Sequence, residues 1–135
     1  MPTAINYLFV YGTLMQDFKN EMSQFLASHS QFIAHGYFTG KLYEVDGFPG
    51  AIPSDDEHEK VYGSVFKLHD NNKVFEVLDA YEGIDKTSSE PDLYNRLLVD
   101  VSLDNKESLS CWVYMYNFSV DSLKQIPSGR YKSSI

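Results

Sequence analysis

Leu109-Ser110-Cys111-Trp112-Val113-Tyr114-Met115-Tyr116 is the stretch that decides the fold. In a strand, successive side chains point to opposite faces. Leu109, Cys111, Val113 and Met115 then share one face, and Trp112, Tyr114 and Tyr116 share the other. Both faces are apolar or aromatic, so both are expected to be covered. Just upstream, residues 94–103 alternate as well, with Leu97, Val99, Val101 and Leu103 on one face. Asp104-Asn105-Lys106 between the two runs reads as a turn, which makes the pair a β-hairpin. A hairpin covered on both sides suits a closed or strongly curved sheet with an internal cavity better than a flat one.

Working outward, Tyr7 to Val10 is a short apolar run that suits a buried strand. A helix is expected from about Asp17 to Ser28, with Phe18, Met22, Phe25 and Leu26 on one face. Residues 31–45 read as strand material, broken near Gly36 and Gly40. Gly47-Phe48-Pro49-Gly50 reads as a turn or loop, because two glycines flank a proline. Residues 54–60 are strongly charged and read as a solvated loop. Val61 to Leu68 has a strand pattern. A second helix follows, with Asp70 as its N-cap and Val74, Val77, Leu78 and Tyr81 as its apolar stripe. Gly83 suits its end. Two helices and six or seven strands in mixed order give an α+β class, and a small mixed β-barrel flanked by helices is the expected architecture.

At 135 residues the chain is read as a single domain, residues 1–135. A chain of this size buries roughly two thirds of its unfolded surface and needs no disulfide staple. Cys111 is the lone cysteine, and no histidine lies at zinc-ligand spacing from it. No metal site is expected. The formal net charge of −8 repels phosphate backbones and disfavours nucleic acid as a partner. The Met1 to Asn6 segment carries no basic region followed by an apolar core, and no apolar run approaches ~18 residues. A soluble, cytoplasmic protein with no membrane partner is the expectation. Nothing in the sequence sets an oligomeric state.

Two segments carry candidate chemistry. Tyr11-Gly12-Thr13-Leu14 follows a buried strand and precedes a helix. Gly12 permits a sharp turn and close approach of a ligand. Successive N–H groups in such a turn converge on one point and attract an anion, and Thr13 adds a hydroxyl. A carboxylate fits this cradle, although a plain strand-to-helix turn with a structural glycine fits the spacing too. The second segment is Leu78-Asp79-Ala80-Tyr81-Glu82-Gly83. Glu82 sits at a helix C-terminus, where the macrodipole makes an anion cost about 0.3–1 kcal/mol. Asp79, three residues back, adds like-charge repulsion. Glu82 also lies at the edge of the apolar stripe. Burial, dipole and like charge together push a carboxyl pKa upward, as general acid/base work requires. A surface glutamate on a fraying last turn fits the position as well. Asp79 itself reads as a solvated or hydrogen-bonded structural residue, and Arg96 as the partner of a nearby carboxylate. Cys111 reads as a small buried hydrophobe.

Taken in order, these segments resemble the γ-glutamylcyclotransferase-like superfamily, including its AIG2-like and bacterial small-protein branches. The matching pieces are Phe9-Val10-Tyr11-Gly12-Thr13-Leu14, Gly47-Phe48-Pro49-Gly50-Ala51, Val61-Tyr62-Gly63-Ser64-Val65-Phe66, Leu78 to Gly83, Tyr94-Asn95-Arg96, Trp112-Val113-Tyr114 and the closing Ile126-Pro127-Ser128-Gly129. They span about residues 7 to 131. The resemblance implies a small barrel with a cavity at one end. It implies that the backbone of Tyr11, Gly12, Thr13 and Leu14 holds the α-carboxylate of a γ-glutamyl group, that Glu82 is the catalytic acid/base, and that Tyr94 and Tyr114 line the cavity. The reaction it implies is intramolecular: the substrate's α-amine attacks its own γ-carbonyl, 5-oxoproline closes and an amine leaves. No enzyme nucleophile, metal or cofactor is needed. The alternative is a module of the same fold that binds a small carboxylate without turnover.

Two departures from the family pattern stand out. Met15-Gln16-Asp17-Phe18-Lys19 replaces a glycine-bearing stretch with a histidine or asparagine, and Arg130 stands where an acidic residue often follows Ser-Gly. Both bear on which substrate is accepted, not on the chemistry.

Overall fold

The computed structural model describes residues 6–11, 21–45, 48–81 and 94–130. Among them are seven strands and two helices: β1 (Tyr7–Val10), α1 (Glu21–Ser28), β2 (Ser30–Val45), β3 (Phe48–Pro53), β4 (Lys60–Leu68), α2 (Asn71–Tyr81), β5 (Tyr94–Leu103), β6 (Ser108–Tyr116) and β7 (Lys124–Gln125). The expected hairpin is β5–β6, paired antiparallel from Tyr94↔Tyr116 to Ser102↔Ser108. Its turn is closed by Leu103 N–H donating to Glu107 O at 2.7 Å, with Lys106 at φ +73°.

Five strands close a barrel in the order β2-β4-β1-β6-β5 and back to β2. Every pairing is antiparallel except β1 with β6, where Leu8 faces Trp112. Closure occurs where Gly36 and Tyr37 of β2 meet Leu103 and Ser102 of β5. A Cβ on Gly36 would stand 2.5 Å from the Ser102 carbonyl oxygen, so only glycine lets the two backbones meet there.

That contact corrects the expectation of a strand broken at Gly36 and Gly40. β2 runs unbroken for 16 residues. What changes at Gly40 is the partner: β4 pairs up to Thr39, and β3 takes over from Gly40 to Val45. The loop from Ser54 to Glu59, exposed at Asp55 to His58, is the excursion between those two partners. A second correction concerns Phe48-Pro49-Gly50. It is not a turn but the start of β3, with Glu44 opposite Pro49. Proline is tolerated because residue 49 points its backbone away from β2, where no ladder N–H is needed.

The two faces of β6 separate two cores, as the double alternation implied. Cys111, Val113 and Met115 lie inside the barrel with Phe9, Phe38 and Val65. Tyr114 lies on the outer side, in a cluster with Leu8, Val10, Leu26, Val74 and Leu78 that the two helices cover, and Trp112 packs against that cluster. Fully burying one such aliphatic side chain contributes about 1.5–3 kcal/mol, so this second layer holds the helices to the barrel. α2 starts as expected, with the Lys73 N–H reaching Asp70 Oδ1 at 3.3 Å. Among its described side chains the buried stripe is Val74, Phe75 and Leu78, whereas Val77 is half-buried; the expected Tyr81 side chain lies outside the described residues. Phe75 replaces Val77 because Trp112 meets its ring edge-on, with centroids 6.2 Å apart. α1 is described from Glu21; residues 17–20 of the expected helix lie outside the described residues.

Candidate functional site

Of the residues singled out in the sequence, Tyr11, Tyr94 and Tyr114 are described. Gly12, Thr13, Leu14 and Glu82 lie outside the described residues. The site is therefore built from its frame: the end of β1, the start of β3, the last turn of α2 and the β5–β6 hairpin.

β1 ends at Val10, and beyond it β3 and β6 approach one another, with a Cβ on Gly50 falling 3.1 Å from Tyr116. The Tyr11 side chain bridges that gap. Its hydroxyl donates a short hydrogen bond to the Tyr114 carbonyl and accepts one from the Ala51 N–H at 3.2 Å. A phenol does here what a further pair of strand residues would do elsewhere. Tyr94, on β5, donates its hydroxyl to the Pro49 carbonyl at 2.6 Å. The outward-facing backbone of β3, which has no strand beside it on that side among the described pairings, is thus met by two tyrosine hydroxyls. Burial leaves both rings little choice: Tyr11 is 6% exposed and Tyr94 5%. Buried polar groups must be paired.

Tyr114 points the other way. Its hydroxyl donates to Asp79 Oδ1 at 2.6 Å. Asp79 also takes a two-pronged grip from Arg96, Nε to Oδ1 at 3.0 Å and Nη2 to Oδ2 at 3.2 Å. The guanidinium lies 3.9 Å from the Phe75 ring centroid and 5.0 Å from that of Trp112. Such a stack suits the flat, weakly hydrated Arg head group, and the fork matches a carboxylate edge. The carboxylate read from the sequence as a repelling neighbour of Glu82 thus carries its own counter-charge. The expected partner of Arg96 is Asp79.

Tyr114 thereby touches both candidate segments. Its carbonyl receives Tyr11, the residue just before Gly12-Thr13-Leu14 in sequence, and its hydroxyl reaches Asp79, three residues before Glu82. The sequence reading had not connected these groups. Its available signal was Arg96, one of only two arginines in the chain, lying on a strand next to an aromatic-rich one.

Two other features complete the frame. Cys111 is fully buried, and burial together with the nearby Asp100 charge pushes its thiol up to about 12. The closing segment is pinned by Ile126 N–H to Leu42 O at 2.7 Å and by Tyr62 N–H to Gly129 O at 2.8 Å. Arg130, the departure from the family pattern, stacks its guanidinium 4.0 Å from the Tyr62 ring centroid. Among the described residues no group of three or more His, Cys, Asp or Glu side chains is placed to hold a metal ion, and no helix is long and apolar enough to cross a membrane.

The fold has solved relatives. An AIG2-like protein from Mus musculus superposes with a TM-score of 0.73 at 20% identity, covering 98% of this chain and 91% of that one. YtfP from Escherichia coli is 29% identical with a TM-score of 0.64, over 93% of this chain and 95% of its own. YkqA from Bacillus subtilis is 25% identical with a TM-score of 0.68; 95% of this chain is covered, but only 40% of YkqA, so the chain spans less than half of that longer protein. Comparison with curated proteins gives no match. The family described as γ-glutamyl cyclotransferase, AIG2-like, matches residues 8–133. With that match over almost its whole length, on a closed five-stranded barrel of the same fold, the chain belongs to the AIG2-like γ-glutamyl cyclotransferase family.

Proposed function

We propose that this protein cyclises a γ-glutamyl amine or γ-glutamyl amino acid to 5-oxoproline and releases the amine, with Glu82 carrying the proton. The observation that supports this reading best is the pair of hydrogen bonds at Tyr114. They tie the residue that opens the candidate carboxylate cradle, Tyr11, and the helix turn that precedes Glu82, through Asp79, to a single strand position.

In this reading the backbone N–H groups of Tyr11, Gly12, Thr13 and Leu14 hold the α-carboxylate of the γ-glutamyl group. Glu82 takes a proton from the α-ammonium. The freed amine attacks the γ-carbonyl carbon, the new C–N bond closes a five-membered lactam, and the old C–N bond breaks. Glu82 returns the proton to the leaving nitrogen, and the second proton shed as the ring nitrogen becomes the lactam N–H leaves with the amine, which departs as its ammonium form; the sum of reactant atoms then equals that of 5-oxoproline plus ammonium and no water is consumed. Because nucleophile and electrophile belong to one molecule, folding the substrate into attack geometry supplies most of what a catalyst must provide. Tyr94 and Tyr114 commit their hydroxyl protons to Pro49 and Asp79. The net charge of −8 agrees with a small-molecule substrate rather than a nucleic acid.

The test is incubation with a panel of γ-glutamyl amines and dipeptides, following 5-oxoproline and free amine by mass spectrometry. The reading predicts equal amounts of the two products from at least one member. Saturable binding of a panel member without either product would replace the enzyme by a carboxylate-binding module.

A further inference from the structure

We propose that Asp79 is a positioning residue: through Arg96 and Tyr114 it fixes the exit of α2 and so the place from which Glu82 reaches the substrate. The proposal deepens the reading above and rests on its assignment of Glu82.

The cluster is unusual in where it sits. Asp79 lies in the last described turn of α2, and toward a helix C-terminus the dipole disfavours an anion. It is nonetheless largely buried, with a side-chain exposure of 13% against 22% for Arg96. A buried ion pair gains little over apolar side chains of the same volume, so net stability does not account for it. What it does supply is direction. Three hydrogen bonds converge on one carboxylate from two adjacent strands: Arg96 on β5 at 3.0 and 3.2 Å, and Tyr114 on β6 at 2.6 Å. Phe75, one turn earlier on the same face of α2, presses on the same guanidinium at 3.9 Å. The helix end is held against rotation and against sliding.

Glu82 follows Tyr81, the last described residue of α2. Its Cα is three peptide steps from that of Asp79, at most about 11 Å along the chain. A displacement of ~1 Å at a reacting group can cost on the order of 100-fold in rate. The same cluster reaches the cradle loop, because the Tyr114 backbone receives the Tyr11 hydroxyl. Asp79 never touches substrate in this account; it acts through Glu82.

The experiment compares wild type, Asp79→Asn and Arg96→Lys, with Glu82→Gln as reference. Two readouts are taken. One is kcat and KM on the substrate found in the panel. The other is the side-chain carboxyl carbon resonance of Glu82 in protein labelled with ¹³C-glutamate, assigned from its loss in Glu82→Gln. The proposal predicts that folded Asp79→Asn lowers kcat about 10- to 100-fold with KM within about threefold. It also predicts that the Glu82 resonance moves while those of Glu44, Glu57 and Glu107 stay. Arg96→Lys keeps the charge but loses the fork, so it shifts both readouts the same way by less. It also stands in should Asp79→Asn not fold. An unmoved Glu82 resonance with wild-type kcat in a folded variant overturns the proposal. So does a rise in KM alone, which would make Asp79 a binding residue. If wild type is silent on the whole panel yet the Glu82 resonance still moves, positioning stands and the proposed reaction falls.

Discussion

The hydroxyl of Tyr11, just past β1, donates to the backbone carbonyl of Tyr114 on β6 and thereby links β6 to β3, two strands with no pairing between them among the described residues. The same oxygen accepts the N–H of Ala51, which is fully buried. Tyr11→Phe keeps the ring inside the barrel but removes the acceptor of a buried N–H. We expect a loss of about 1–3 kcal/mol, read by urea denaturation, with the fold retained. A loss below a few tenths would mean that Ala51 finds another partner without cost.

Gly129 ties the closing segment to β4. Its φ is +71°, and a Cβ there would stand 1.7 Å from the Lys60 carbonyl oxygen. Gly129→Ala cannot keep both that conformation and that contact. We expect a loss of about 1–3 kcal/mol. Amide exchange should rise at Tyr62 and Ile126, which lose their partners when the segment lifts, and stay unchanged at Val99 and Cys111 in the hairpin.

Cys111 should be chemically silent while the barrel is intact. Its thiol is pushed up to about 12, chiefly by burial and then by Asp100. The folded chain therefore holds this proton more tightly than the unfolded chain. No pH dependence of stability arises from Cys111 below the ordinary thiol range near 8.5; above it, stability falls as pH rises toward 12, because only the unfolded form then gains by ionising. Labelling by a thiol reagent at pH 8 should follow unfolding and saturate only in denaturant. Rapid labelling of native protein would contradict the burial.

Gly12→Val tests the cradle. In the proposed cradle a β-branched side chain would resist the turn and fill the space an anion needs. We expect a γ-glutamyl ligand that titrates wild type to lose at least about tenfold in affinity, with thermal stability changed much less. Equal affinities would remove the Tyr11 to Leu14 loop from the site.

The sequence disclosed the barrel most clearly at Cys111-Trp112-Val113-Tyr114. A strand covered on both faces leaves two interleaved apolar sets, and the structure puts one inside the barrel and the other under the helices. The β5–β6 hairpin and the Asp70 cap were legible for the same reason: each is local. The misreadings were those where a local cue met a long-range fact. Gly36 looks like a break, but β5 supplies the close neighbour that requires it. Phe48-Pro49-Gly50 has turn composition, yet β2 pairs with it. At the site, Tyr94 and Tyr114 could be chosen as residues, whereas the direction of each hydroxyl depends on β3 and α2. Asp79 and Arg96 stand 17 residues apart with no periodic relation, so each could be assigned some partner, but nothing in the spacing joined them into one cluster with Tyr114 and Phe75.

The most direct measurement is turnover by Glu82→Gln beside wild type at matched ligand saturation, with 5-oxoproline read by mass spectrometry and binding read by calorimetry. The account predicts that the amide variant folds and binds the γ-glutamyl ligand within a few-fold of wild type, while its rate falls by at least about 100-fold, the usual contribution of a positioned acid/base. A variant that turns over at the wild-type rate would show that the proton travels by another group, and the assignment of Glu82 would be wrong.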